Sequence, residues 1–139
     1  MSLCFRAFKS EDHLQAHTLW ASTEGVGLSD ADSPENIRRF LERNPGLSLV
    51  ATDDDVLVAT VLCGHDGRRG LIHHLAVASS HQRRGIGREL VRRALTALRE
   101  EGIQKCHLLV FHENVSGRAF WERIGAEERT TIGIFSLLT

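Results

Sequence analysis

The chain has 139 residues and a mass of 15.5 kDa, a size that fits one domain able to bury a core without disulfide or metal staples. Apolar residues make up 42% and charged residues 25%, and 17 basic side chains stand against 18 acidic ones, so composition excludes a general nucleic-acid binder. Tyrosine is absent, which excludes any mechanism that needs a phenol as acid, base or nucleophile. Residues 3–8 read as a strand. Ser10 then offers an N-cap, Glu11 and Asp12 sit where a helix dipole favours anions, and Leu14, Leu19 and Trp20 give that helix an apolar side. Residues 22–32 read as a loop, and Ser33-Pro34-Glu35 is a helix start whose buried stripe is Ile37, Phe40 and Leu41. Residues 47–52 and 56–63 form a hairpin across an acidic turn, and residues 71–77 add a third strand after a Gly-rich turn. The clearest helix runs over 85–102, with Ile86, Leu90, Ala94 and Leu98 at helical spacing and Gly102 as its stop. Residues 105–111 read as a strand, 114–124 as a short helix and 130–138 as a final strand.

The expected order is β-α-α-β-β-β-α-β-α-β. A strand–helix–strand crossover within one sheet is parallel, so a mixed sheet with helices on both faces follows. No Pro/Gly/Ser linker or repeat divides residues 1–139, which are read as a single domain. Cys4, Cys63 and Cys106 are odd in number, lie in apolar stretches and contain no CxxC, which suits buried thiols in a reducing, cytoplasmic setting. No signal peptide or membrane-spanning stretch is evident, and no membrane partner is expected.

Of the 17 cations only Lys9 and Lys105 are lysines, and the rest are arginines, whose forked donors suit phosphate and carboxylate. They concentrate where chemistry is expected. Leu75-Ala76-Val77 leads through a polar turn to Gln82-Arg83-Arg84-Gly85-Ile86-Gly87-Arg88 at the mouth of the long helix. The first helical turn leaves backbone N–H groups without partners, and the dipole adds positive potential. Glycines let a phosphate approach the backbone, and three arginines add full charges. A dinucleotide fingerprint fails because Leu90 holds the place of its third glycine, and no Gly-Lys-Ser/Thr loop occurs. A nucleotide- or polyphosphate-binding protein using the same helix end is the minor alternative.

Gln82–Gly87 fits Gln/Arg-x-x-Gly-x-Gly/Ala, and Asn114 to Gly125, with Phe120, Trp121 and Glu122 between, is similar to a late-helix motif of the same family. On these two motifs the whole chain resembles the GNAT N-acetyltransferase superfamily, in the manner of small stand-alone bacterial acetyltransferases. The resemblance implies an α/β (α+β) fold: a mixed, mostly antiparallel sheet of about six strands flanked by four helices. It implies acetyl-CoA as cofactor and direct transfer of its acetyl group to a primary amine of a small molecule or protein. Carried over residue by residue, Gln82, Arg83, Arg84, Gly85, Ile86, Gly87 and Arg88 would hold the pyrophosphate. Leu75, Ala76 and Val77 would run beside the pantetheine, with the N–H of Leu75 or a neighbour facing the oxyanion. Asn114 would bond the pantetheine, and Phe120 would pack beneath the cofactor.

The family's late helix carries a Tyr before its Glu, which protonates the leaving thiolate. Trp121 stands there, and an indole N–H is no useful acid. Ser116 or a water is the substitute. No acid lies on the strand 71–77, where His73 and His74 are the candidate bases, with a chain of waters as the alternative. Alternation sends the two to opposite faces, with His73 beside Leu71, Leu75 and Val77. Cys63 and His65 with these histidines match no zinc spacing, and no metal is expected. Glu24, Asp30, Asp32 and Glu35 gather in the first inter-helix loop and read as a solvated acidic loop beside the acceptor. The missing phenol keeps a second function open, a weak or inactive acyl-CoA-binding module. The final strand allows either a monomer or a homodimer.

Overall fold

The computed structural model describes residues 2–139. They form two compact units, one running through Leu109 and the other Val110–Thr139. The first holds a five-stranded sheet in the order β1-β2-β3-β4-β5, with β1 (Leu3–Ala7), β2 (Leu49–Asp53), β3 (Val56–His65), β4 (Gly70–Val77) and β5 (Cys106–Leu108). The first four are antiparallel neighbours; β4 and β5 are parallel, as the crossover through a helix requires. Its helices are α1 (His13–Ala21), α2 (Pro34–Arg43) and α3 (Ile86–Glu100). The expected mixed, mostly antiparallel sheet and four helices are present, α4 (Val115–Arg123) lying in the second unit.

Adjacent side chains of β1 show how the helices divide between faces. Phe5 meets the Arg93 guanidinium of α3 at 4.7 Å, and Arg6 pairs with Asp12 before α1 at 2.8 Å. Alternation along a strand sends neighbours to opposite faces. Trp20 and Leu19 of α1, Ile37 of α2 and the sheet residues Val50, Leu62 and Ala76 pack as one core. Trp20 is fully buried there, worth about 4–6 kcal/mol of transfer free energy for a side chain of its size. On the other face Ile86, Leu90, Val91, Ala94 and Leu98 form the buried stripe of α3, at the predicted spacing.

The helix ends follow local rules. The Ser33 hydroxyl accepts the Asn36 N–H at 3.1 Å with Pro34 in the first turn, as predicted. Beyond α3, the N–H groups of Gly102 and Ile103 reach the carbonyls of Arg99 and Leu98, both at 3.0 Å, closing the helix where Gly102 was expected to stop it. Ser10 does not start α1 directly. A 3-10 turn, Ser10–Asp12, comes first, and Asp12 folds back onto the Lys9 N–H at 2.9 Å. A second 3-10 turn, Asp30–Asp32, repeats the device before α2: Asp32 accepts the Ser29 N–H at 3.0 Å.

Three expectations need correction. Residues 130–138 form no strand, so the sheet has five strands rather than about six. Apolar pattern alone supplies no hydrogen-bonding partner, and in this segment Phe135, Leu137 and Leu138 stay exposed. Cys4 is also exposed, because β1 pairs on one edge only; Cys63 is buried as expected and Cys106 half-buried. The third correction, at His73 and His74, belongs to the site.

Candidate active site

The strand β4 is built to leave its neighbour. Its register with β5 covers Gly70, Leu71 and Ile72 and stops there. On the β3 side the register passes from Leu62↔His73 to Thr60↔Ala76, so β4 carries one extra residue. This is a β-bulge, and His74 sits in it with φ +46°, left-handed backbone that a non-glycine residue adopts only when its surroundings hold it. The hold is visible. Trp20 donates Nε1–H to Thr60 Oγ1 at 2.9 Å, and Thr60 donates its hydroxyl proton to the His74 carbonyl, also at 2.9 Å. Leu75 has no register partner on either side.

The bulge overturns the expected separation of the two histidines. His73 meets the Phe40 ring of α2 edge-on at 6.0 Å, His74 lies 4.7 Å from the Trp20 ring of α1, and the two imidazoles are 6.5 Å apart. Both therefore face the side of α1 and α2, since an inserted residue cancels one step of alternation. Burial pushes the His73 imidazole below its ordinary value, and the neighbouring His74 adds to this against the pull of Asp32. Burial thus disfavours the charged form of His73 in its half-buried place.

His74 has a specific partner. Its Nε2 lies 2.6 Å from Asp32 Oδ1, while Oδ2 of the same carboxylate accepts the Ser29 N–H. Asp32 is only 7% exposed, so the acidic loop is not solvated at this residue; Glu24, Asp30 and Glu35 are exposed as expected. The Ser29-x-x-Asp32 spacing is a capping signature legible in the sequence. Its pairing with a histidine 42 residues away was not. Beside it, His13, Leu14, His17, Ser29, Asp32, Ser33 and Pro34 line an open pocket of about 360 Å³. His13 donates Nε2–H to the Asp32 carbonyl at 2.7 Å.

The turn before α3 has a distinct backbone form. Arg83 and Gly85 are both left-handed, φ +65° and +79°, so the backbone curls before α3. Gly85 is the N-cap, and a Cβ placed on it would meet nothing within 4 Å. Glycine serves the backbone conformation there, and the space in front is open. The first rung of the helix is Glu89 N–H to Gly85 O at 3.0 Å, so the N–H groups of Ile86, Gly87 and Arg88 have no intrahelical acceptor. Arg83, Arg84 and Arg88 are exposed around them, whereas Ile86 is buried as an anchor. Gln82 turns its side-chain amide onto the Val77 carbonyl at 3.1 Å, tying the turn to the end of β4. His81 Nε2 pairs with Asp53 Oδ2 at 2.8 Å and fastens the same turn to β2; neither residue stood out in the sequence. Ala76 is buried in the core and contributes backbone only.

In the second unit Asn114 caps α4, its Oδ1 accepting the Gly117 N–H at 3.0 Å. A Cβ on Gly117 would collide with the Asn114 side chain, so the cap needs that glycine. Phe120 and Trp121 pack edge-to-face at 5.2 Å, and Ser116 is exposed on the first turn. Among the described residues no group of three or more His, Cys, Asp or Glu is placed to hold a metal ion, and no helix is long and apolar enough to cross a membrane.

Comparison with known proteins agrees with this architecture. The sequence model of the acetyltransferase (GNAT) family matches residues 13–126. An acetyltransferase of Pectobacterium atrosepticum is 32% identical over 123 residues, which cover 88% of this chain and 86% of that protein. Among solved structures, Ard1 from Thermoplasma volcanium superposes with TM-score 0.79 at 18% identity, covering 90% of this chain and 82% of that one. The PaiA N-acetyltransferase of Thermoplasma acidophilum, solved in complex with coenzyme A, gives 0.74 at 20% identity, covering 90% and 89%. With the family's sequence model matching across most of its length and a relative 32% identical over 88% of it, the chain belongs to the acetyltransferase (GNAT) family.

Proposed function

We propose that this GNAT acetyltransferase moves the acetyl group of acetyl-CoA directly to a primary amine of a small molecule or protein. The observation that carries the reading is the curled entrance of α3. Left-handed Arg83 and Gly85 turn the unpaired N–H groups of Ile86, Gly87 and Arg88 outward among exposed arginines. That is a site for the pyrophosphate of CoA. The pantetheine is assigned to the edge that β4 opens where it leaves β5, along Leu75, Ala76 and Val77. Asn114 and Phe120 are assigned to the cofactor on the family resemblance alone.

In the reaction the amine nitrogen bonds to the thioester carbon, with the N–H of Leu75 or a neighbour as oxyanion donor. One amine proton passes to a base, and the C–S bond breaks as the thiolate leaves with its electron pair. His73 and His74 are the two candidate bases. With no tyrosine in the chain, the thiolate is protonated by water or Ser116 rather than by a phenol. Release of CoA thiol from acetyl-CoA across a panel of amines tests the proposal, and no release with any amine would sink it. Trp121 in the place of the family's tyrosine favours a second reading, an acyl-CoA-binding module of little or no activity. Cofactor-dependent thermal stabilisation without turnover would support that one.

A further inference from the structure

We propose that Asp32 is a positioning residue for acetyl transfer, holding the Nε2 edge of His74 so that Nδ1 is the atom that takes the acceptor's proton. The inference rests on the acetyltransferase reading above and assigns the base within it. Three observations carry it. First, the Asp32 carboxylate is buried and its two oxygens are divided: Oδ1 lies 2.6 Å from His74 Nε2, and Oδ2 accepts the Ser29 N–H at 3.0 Å. A carboxylate only accepts here, so the neutral ring carries its proton on Nε2 and its lone pair on Nδ1. Second, Nδ1 has no hydrogen-bond partner among the described residues, and no buried side-chain nitrogen or oxygen is left without one. Nδ1 is therefore not sealed inside the protein. Third, the backbone at His74 is held left-handed in the bulge where β4 has already parted from β5, with the Trp20 ring against the imidazole. Ring, tautomer and backbone are each fixed by a different neighbour, which is how a base is preorganised.

The proton inventory closes. The amine forms the N–C bond and gives one N–H proton to His74 Nδ1. The C–S electron pair leaves with the CoA thiolate, which is protonated by solvent, and His74 returns its proton to solvent. The charged and titratable groups around His74 are Asp32 from the 3-10 turn, His73 on its own strand and His13 of α1, bonded to the Asp32 carbonyl. Trp20 faces it from α1 without titrating.

Asp32→Asn is the sharp test because the Ser29 N–H still demands an acceptor. The amide must turn its oxygen to Ser29 and its NH2 to His74. His74 Nε2 then becomes the acceptor, and the ring proton moves to Nδ1, removing the base. The expected result is a kcat lower by on the order of 100-fold or more, an unchanged KM for acetyl-CoA, and partial rescue by Asp32→Glu. His74→Gln is expected to match Asp32→Asn, and the double variant to be no worse than either. Nitrogen-15 NMR of the wild-type protein, with the signal assigned by its loss in His74→Gln, is expected to show the Nε2–H tautomer. A wild-type kcat in folded Asp32→Asn, or an Nδ1–H tautomer in the wild type, overturns the proposal. If Asp32→Asn does not fold, the NMR measurement and Asp32→Glu decide. If the wild type acetylates no amine, the functional reading falls and the catalytic role falls with it. The NMR arm still reports whether Asp32 sets the tautomer, so the two failures are distinguishable.

Discussion

Trp20 and Thr60 are joined by a buried hydrogen bond of 2.9 Å, indole N–H to hydroxyl, and through it the core of α1 reaches the site. Thr60 passes its own proton to the His74 carbonyl, so one hydroxyl serves both the packing of Trp20 and the bulge of β4. Thr60→Val keeps the volume and leaves an N–H and a C=O without partners. The loss is expected at about 2–6 kcal/mol, from ~1–3 for each of the two unsatisfied buried groups. Urea denaturation checks it. Thr60→Ser is expected to retain most of the stability, and kcat is expected to fall further in Thr60→Val than stability accounts for.

At the entrance of α3 the ligand and the fold can be separated. A side chain at Gly85 meets open space, so Gly85→Asp costs only the left-handed backbone, about 1–2 kcal/mol. The added carboxylate faces the phosphate charge. At the effective dielectric of a protein surface one like charge at 4 Å opposes binding by about 4 kcal/mol, on the order of 1000-fold in Kd. Calorimetric titration with CoA is expected to show that loss in a protein whose unfolding remains cooperative. Gly87→Val is expected to weaken CoA likewise, by blocking backbone approach.

His73 links stability to pH. Its folded value lies below the ordinary 6.5, mainly through burial. Below 6.5 the unfolded chain therefore binds a proton that the folded chain resists. Stability from this residue is complete above 6.5 and is lost as pH falls through the folded value. Unfolding measured from pH 8 to pH 5 is expected to show less acid sensitivity in His73→Phe than in the wild type. The Arg6–Asp12 pair acts lower. Burial raises the Asp12 carboxyl most, but the Arg6 hydrogen bonds, the Lys9 N–H and the charges of both residues together outweigh it and leave it below 3.8, so its contribution persists until pH drops beneath that value.

The two histidines are expected to separate by turnover. His74→Ala is expected to lower kcat on the order of 100-fold at neutral pH while CoA affinity stays unchanged. His73→Ala is expected to act chiefly on stability. An equal loss of kcat in both would show that the pair acts together.

Trp121 marks the place of the absent phenol. Trp121→Tyr supplies a phenol, and steady-state kinetics are expected to show a kcat increase of about 100-fold or more, the usual contribution of a positioned acid. An unchanged kcat would show that thiolate protonation is not limiting.

The amino-acid sequence by itself determined what is local and periodic. The stripe of α3, the cap at Ser33, the stop at Gly102 and the glycine–arginine entrance at residues 82–88 depend on neighbours a few positions away, and each stands where the residues place it. The missing tyrosine was also visible there, and it still limits the choice of acid. Only the tertiary structure decided where His73 and His74 face. Alternation is a rule for a regular strand, and the bulge at His74 is fixed by Thr60 and Trp20 from two other elements. It alone showed that Asp32, one of several acids in a loop, is the buried one that grips His74. The apolar run at 130–138 could not become a strand on pattern alone, since a strand exists only through hydrogen bonds to another strand, and those are decided by the fold.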